Sequence, residues 1–171
     1  MADSASNTGS FGTVFTLAAW VLVLALLTWL FGNWEEHRDN PNRALSATGS
    51  DVTLQRNRQG HYLADGFING KRVRFLVDTG ATRVALPEAI AERLALPRLA
   101  RGSAQTAGGD VDTWLTRIDE VRLGSIVLHD VPASINPRMA FDEVLLGMTF
   151  LKHLELVQRG DTLTLRQYAP R

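Results

Sequence analysis

Hydrophobic and polar positions divide this chain into three zones. Residues 1–10, MADSASNTGS, are small and polar and are expected to be disordered. Phe11 to Gly32, FGTVFTLAAWVLVLALLTWLFG, contains no charged residue. At ~1.5 Å per residue this run makes about 33 Å of helix, which matches a hydrocarbon core of about 30 Å. Trp29 and Trp34 stand at its C-terminal border, where an aromatic belt belongs. The run has no polar face, so it needs either a protein core or lipid around it, and its terminal place in the chain argues against a buried core helix. A cleaved signal peptide would carry a basic n-region and a shorter apolar core of about 7–15 residues. Lacking both, 11–32 is expected to be an uncleaved single-span anchor. Residues 33–50 are polar, with the breakers NPN and SATGS, and read as a linker.

From Asp51 to Arg171 the pattern becomes one of short strands with turn punctuation. VTLQRN (52–57) alternates as a half-buried strand does. HYLADGFINGKRVRFLVD (61–78) places Asn69-Gly70 between two β-rich runs, a hairpin signal, because a type I′ turn needs positive φ at both central positions. Val84-Ala85-Leu86 is a further strand, and Pro87 suits the start of a helix over EAIAERLAL (88–96). QTAGGDVDTW (105–114) reads as a flexible hairpin. IDEVRLGSIVLHDVPASI (118–135) gives two strands around Gly124-Ser125. EVLLGMTFLKHL (143–154) is an apolar run, a glycine and a short helix, and LELVQRGDTLTLRQ (154–167) is a terminal hairpin turning at Gly160-Asp161. Many short strands with one or two short helices predict an all-β fold, a small barrel or sandwich, behind one transmembrane helix.

Composition narrows the chemistry. Eighteen acidic residues balance eighteen basic ones, so no polybasic field points to nucleic acid. There is no cysteine, which excludes thiol catalysis, disulfides and cysteine-based zinc sites. The four histidines are scattered at spacings unsuited to a shared metal.

One short stretch, FLVDTGAT (75–82), carries candidate chemistry. Phe75-Leu76-Val77 delivers Asp78 from a buried strand, and Gly80 lets the chain turn sharply away. Asp also favours turns as a structural cap, so the tripeptide alone leaves both readings open. A pair of such carboxylates about 3 Å apart shares one proton, because both cannot ionise. The ionised member takes a proton from water while the protonated member polarises a carbonyl. The chain has one Asp-Thr-Gly, so the second carboxylate would come from a second chain across a two-fold axis. FLVDTGATRVAL also fits the Asp-x-Gly-x-Thr phosphate loop of sugar kinases and actin-like ATPases. That fold needs two large α/β halves and a second phosphate loop, which a domain of this length does not hold.

GHYLADGFINGKRVRFLVDTGAT and VLLGMTFL (144–151), in this order, resemble the two motifs of the retropepsin-like aspartic proteases, in particular their bacterial membrane-anchored branch. The resemblance covers roughly Asp51 to Arg166. It implies a closed β-barrel-like homodimer with Asp78 as the catalytic carboxylate. Thr79 would join a hydroxyl network across the dimer, and Gly80 would bring its backbone close to the carboxylate, with Ala81 completing the loop. Ala107, Gly108 and Gly109 would form the flap over the substrate. Leu145, Leu146 and Gly147 would pack beneath the loop as support. Met148-Thr149 stands where members often carry Arg or Asn after the glycine. The expected function is peptide-bond hydrolysis of an extended peptide or protein substrate, with no metal or other cofactor. The alternative is a peptide-binding or scaffold module on the same fold. The bacterial branch implies an inner-membrane anchor with a periplasmic domain, whereas a literal count of Arg38 and Arg43 after the span favours the opposite side.

Overall fold

The computed structural model describes residues 9–45, 51–106 and 108–168, except for the side chains of 9–13 and 33–38. The chain forms two units, divided between Arg38 and Asp39. The first is a single helix, α1 (Gly9–Asp39). Its Val14–Gly32 stretch is long and apolar enough to cross a membrane, and every side chain along that stretch is exposed. A helix that is apolar on all sides needs either a protein core or lipid around it. α1 runs beyond the expected 11–32 at both ends.

Among its described residues the second unit holds ten strands and two short helices. The strands are β1 (Asp51–Gln55), β2 (Leu63–Ile68), β3 (Lys71–Val77), β4 (Val84–Pro87), β5 (Ala100–Thr106), β6 (Gly109–Leu123), β7 (Ile126–Asn136), β8 (Glu143–Leu146), β9 (Leu154–Arg159) and β10 (Thr162–Gln167); the helices are α2 (Glu88–Arg93) and α3 (Met148–Leu151). Strands β2, β3, β8, β4, β7 and β6 follow one another around a ring, and β6 closes on β2 through Phe67↔Arg122 and Ile68↔Val121. The result is the expected closed barrel, here of six strands, whose closure removes the exposed edges an open sheet would present. Closure requires a close approach at Gly66: a Cβ there would lie 2.4 Å from the Arg122 carbonyl oxygen and 2.7 Å from the Phe75 ring. The Asn69-Gly70 turn that joins β2 to β3 has φ of 48° and 76°, both positive as a type I′ turn demands.

Inside the barrel Phe75, Leu86, Ile118, Ile135, Leu146 and Phe150 are fully buried. Burying each such side chain stabilises the fold by about 1.5–3 kcal/mol. Outside the ring, β5 extends β6 from Ala100↔Leu115 to Thr106↔Gly109, and β1, β10 and β9 form a separate three-stranded sheet. Arg166 of β10 bonds Asp51 of β1 at 2.7 Å and Glu155 of β9 at 3.3 Å. The hydrogen bond to Asp51, then the charges of Asp51 and Glu155, raise its pKa above the ordinary arginine value, so its charge is fixed at any working pH.

Three segments depart from the sequence reading. The hairpin arm at 109–114 and the strand expected from Ile118 are one unbroken strand, β6, of 15 residues. Its buried positions shift from Val111 and Thr113 to Thr116 and Ile118, and the two threonines are 3% and 4% exposed, so hydropathy shows no single alternation along the strand. Helix α2 is also shorter than 88–96, because Ala95 takes a positive φ of 56° just past its end.

The other departure is in the expected linker, 33–50. Its residues 46–50 lie outside the described residues, but Asn40 and Asn42 are buried against the barrel. The Asn42 side chain donates to the carbonyls of Gln55 (2.9 Å) and Leu63 (2.6 Å) and accepts from the Gln55 N–H (2.7 Å). Asn40 donates to Asp65 at 2.7 Å. Asn42 thereby ties the end of β1 to the start of β2, where no ladder joins them. A short polar segment flanking a proline reads as spacer, because its composition does not reveal which amides find buried backbone partners.

Candidate active site

The site is built where two parallel strands end together. β3 and β8 run side by side with Leu76 opposite Leu145 and Val77 opposite Leu146. At the end of β3 the Asp78 N–H still donates to the Leu146 carbonyl at 3.3 Å, so the ladder positions the first residue of the loop. The loop then folds on itself. Ala81 N–H donates to the Asp78 carbonyl at 3.3 Å, and Gly80 N–H donates to the Asp78 carboxylate Oδ1 at 2.8 Å. A Cβ on Gly80 would sit 3.2 Å from that same oxygen, tighter than most side-chain contacts, so glycine suits the position. Asp78 is half-buried, whereas Thr79 and Gly80 are exposed. The Thr79 hydroxyl has no partner among the described residues.

Gly147 locks the loop from below. A Cβ on it would lie 2.3 Å from the Arg83 carbonyl oxygen and 2.6 Å from that of Ala81, so no other residue fits without moving backbone. The start of α3 completes the lock: Met148 N–H donates to the Ala81 carbonyl (2.8 Å) and Thr149 N–H to that of Thr82 (3.2 Å). The Thr149 hydroxyl accepts from Val84 N–H at 3.0 Å and donates to the Pro132 carbonyl at 2.8 Å, joining the loop, β4 and β7. Sequence reasoning missed this residue. Its place inside LLGMTF was a signal, but its hydroxyl's partners are distant in sequence.

A groove of about 1030 Å³ opens beside Asp78, lined by its loop, by β5 and the start of β6, and by the turn that follows β7. Asp78 is the one carboxylate lining it among the described residues. Gly108 lies in the turn between β5 and β6 and Gly109 opens β6, and the Thr106 hydroxyl donates to the Gly109 carbonyl (2.7 Å) and accepts from Gly108 N–H (3.2 Å). Ala107, expected in the same turn, lies outside the described residues. Leu145 lines the groove, while Leu146 and Gly147 are buried beneath the loop. Ser134 and Asn136, polar yet 6% and 8% exposed, also line the groove. The hydropathy pattern did not single them out, because polar residues at the end of a strand ordinarily read as exposed. No cluster of three or more metal-ligating side chains occurs among the described residues. The arrangement presents one backbone-anchored carboxylate on a hydrogen-bonded loop, facing an open groove.

Comparison with known proteins agrees with this architecture. The sequence profile of the family described as "gag-polyprotein putative aspartyl protease" matches residues 64–153, from β2 to just past α3. A relative from Sinorhizobium sp., described as an uncharacterized protein in the cobV 5′ region, is 34% identical over 134 residues. That match covers 74% of this chain, and the chain spans 58% of the relative's length. Among solved structures, a retropepsin-like aspartic protease from Rickettsia conorii superposes with a TM-score of 0.56 at 24% identity, over 68% of this chain and 90% of the other. That likeness supports the fold, and the family match covers both motif-bearing strands. The chain belongs to the retropepsin-like aspartic proteases.

Proposed function

We propose that this protein is a membrane-anchored aspartic endopeptidase that works as a homodimer. The observation that carries the reading is Asp78 itself. It is held at the mouth of a peptide-sized groove by the Leu146 carbonyl and the Gly80 N–H, with no second carboxylate lining the groove among the described residues. A two-fold axis beside the loop supplies the missing partner and brings two Asp78 carboxylates together. The exposed Thr79 hydroxyls are then available to bond across the dimer.

In this mechanism the dyad holds one proton and one water. The ionised Asp78 takes a proton from the water as its oxygen attacks the scissile carbonyl carbon. The protonated Asp78 of the other protomer gives its proton to the carbonyl oxygen, and a gem-diol forms. One diol proton then returns through the carboxylates to the amide nitrogen, the C–N bond breaks, and an acid and an amine leave. The β5–β6 hairpin, with Gly108 and Gly109 at its turn, closes over an extended peptide that pairs with it as an added strand. Residues 11–32 span a bacterial inner membrane with the barrel in the periplasm. Confinement to one bilayer raises the effective concentration of protomers and favours the dimer. A phosphatase active only in the periplasm, fused after Arg171, should then be active; a silent fusion would place the barrel in the cytoplasm.

The experiment that tests the chemistry compares the full chain in detergent with its Asp78→Asn version on a mixed peptide library across pH. Cleavage by the parent and none by the variant is expected. No cleavage by either, at concentrations that force dimers, would leave a peptide-binding module as the function. Cleavage by both would remove Asp78 from the chemistry.

A further inference from the structure

We infer that the groove selects peptides bearing acidic side chains, with Arg83 and Arg138 as the specificity-determining residues. The inference rests on the peptide-binding part of the reading above. Both arginines line the groove, and neither guanidinium has a hydrogen bond or ion pair among the described residues. Several other arginines of the barrel are ion-paired, Arg72 with Asp65 at 2.6 Å, Arg122 with Glu120 at 3.0 Å and Arg166 with Asp51 at 2.7 Å. The two that line the groove carry no such pair, so they offer it two positive charges.

Their backbones are also fixed. Thr149 brackets Arg83, donating its N–H to the Thr82 carbonyl and accepting Val84 N–H on its hydroxyl. Arg138 rides on a turn tied down at both ends, where its own N–H donates to Asn136 Oδ1 at 2.9 Å and Met139 N–H donates to the Asn136 carbonyl at 3.2 Å. In the β4–β7 pairing Val84 lies opposite Ala133 and Pro87 opposite Asn136. Arg83 therefore enters at one end of that pairing and Arg138 leaves at the other, so their backbones stand about 10–15 Å apart along the strands. That is the span of about four residues of an extended peptide. A guanidinium presents a planar fork of donors that matches a carboxylate, and Gln or Asn offers neither the charge nor the second acceptor oxygen. Among the described residues, Asp78 is the one acidic side chain lining the groove that would oppose an anionic peptide.

The test uses the full chain in detergent and paired peptides that differ only in Glu versus Gln at positions flanking the cleaved bond. Cleavage is read as the ratio of kcat/KM between the pair. Binding is read in parallel with the Asp78→Asn version and fluorescent forms of the same peptides, a readout that does not need turnover. At low salt the Glu peptide is expected to win by on the order of 5-fold over the two sites together, and by less as added salt screens the charges. Arg83→Gln and Arg138→Gln should each reduce the ratio, and the double substitution should bring it to about one. Arg83→Lys should keep part of the preference, which a purely structural role for Arg83 would not predict. Arg159→Gln, outside the groove, is the control expected to leave the ratio unchanged. Cleavage without Glu preference would overturn this inference and leave the protease reading standing. Absent cleavage with salt-sensitive preference for Glu in binding would uphold the inference while the protease reading fails. Neither cleavage nor preference would overturn both.

Discussion

Gly147 lies against Ala81 so closely that the Ala81 carbonyl oxygen would be 2.6 Å from any Cβ placed on the glycine, while the next residue's N–H donates to that same oxygen at 2.8 Å. The contact joins the two sequence motifs, which are far apart along the chain. Asp78 is positioned by a loop that is itself held by the turn from β8 into α3.

The first prediction follows from this contact. Gly147→Ala has no flexible neighbour to push aside, since both clashing atoms are backbone carbonyls. Overpacking of this kind costs about 1–3 kcal/mol, and more where backbone must move. Thermal unfolding should show a lower Tm for the barrel, and peptidase activity should fall further than stability does, because the displaced carbonyl belongs to the Asp78 loop. A variant with the parent's Tm and activity would show that the loop does not depend on this packing.

Thr149→Val keeps the shape and removes the hydroxyl. Val84 N–H and the Pro132 carbonyl then lose a shared partner; the first bond is part-buried and the second exposed, so the cost is about 1 kcal/mol. Denaturant unfolding should report a loss of that size. An unchanged midpoint would mean that water replaces the hydroxyl at both partners.

Asn42→Ala should also destabilise the barrel by about 2–4 kcal/mol, since the Gln55 N–H and two carbonyls lose their partner together. A fragment that starts at Asp39 should therefore be more stable than one that starts at Asp51. Equal urea midpoints for the two fragments would relegate Asn42 to the tether.

The shared site makes a prediction about mixtures. If each active site takes one Asp78 from each of two protomers, adding an equal amount of the Asp78→Asn chain should halve the parent's activity once subunits have exchanged. A mixed dimer has one carboxylate and one amide, which cannot pass a proton back and forth. Undiminished activity on addition would show that one chain suffices.

Much of the fold and part of the site were legible in the sequence. Asn69-Gly70, Gly124-Ser125 and Gly160-Asp161 mark turns through backbone conformations that few residues adopt, and all three turns are where the sequence puts them. The apolar run into Asp78, and the apolar pair before Gly147, identify two strand ends, because alternation and turn residues are local properties. The anchor-length helix is equally local: hydropathy summed over one stretch decides it.

What the tertiary structure alone decided is which strand ends meet. Nothing in FLVDTGAT or VLLGMTF states that the two strands lie parallel, that Leu146 accepts the Asp78 N–H, or that the Thr149 hydroxyl reaches Pro132. The unbroken length of β6, the docking of Asn42 between β1 and β2, and the placement of Arg83 and Arg138 along one groove were likewise hidden. Each depends on a partner distant in sequence. A side chain's hydrogen-bonding capacity is written in its chemistry, but the group that satisfies it is chosen only when the barrel closes and water is excluded from both.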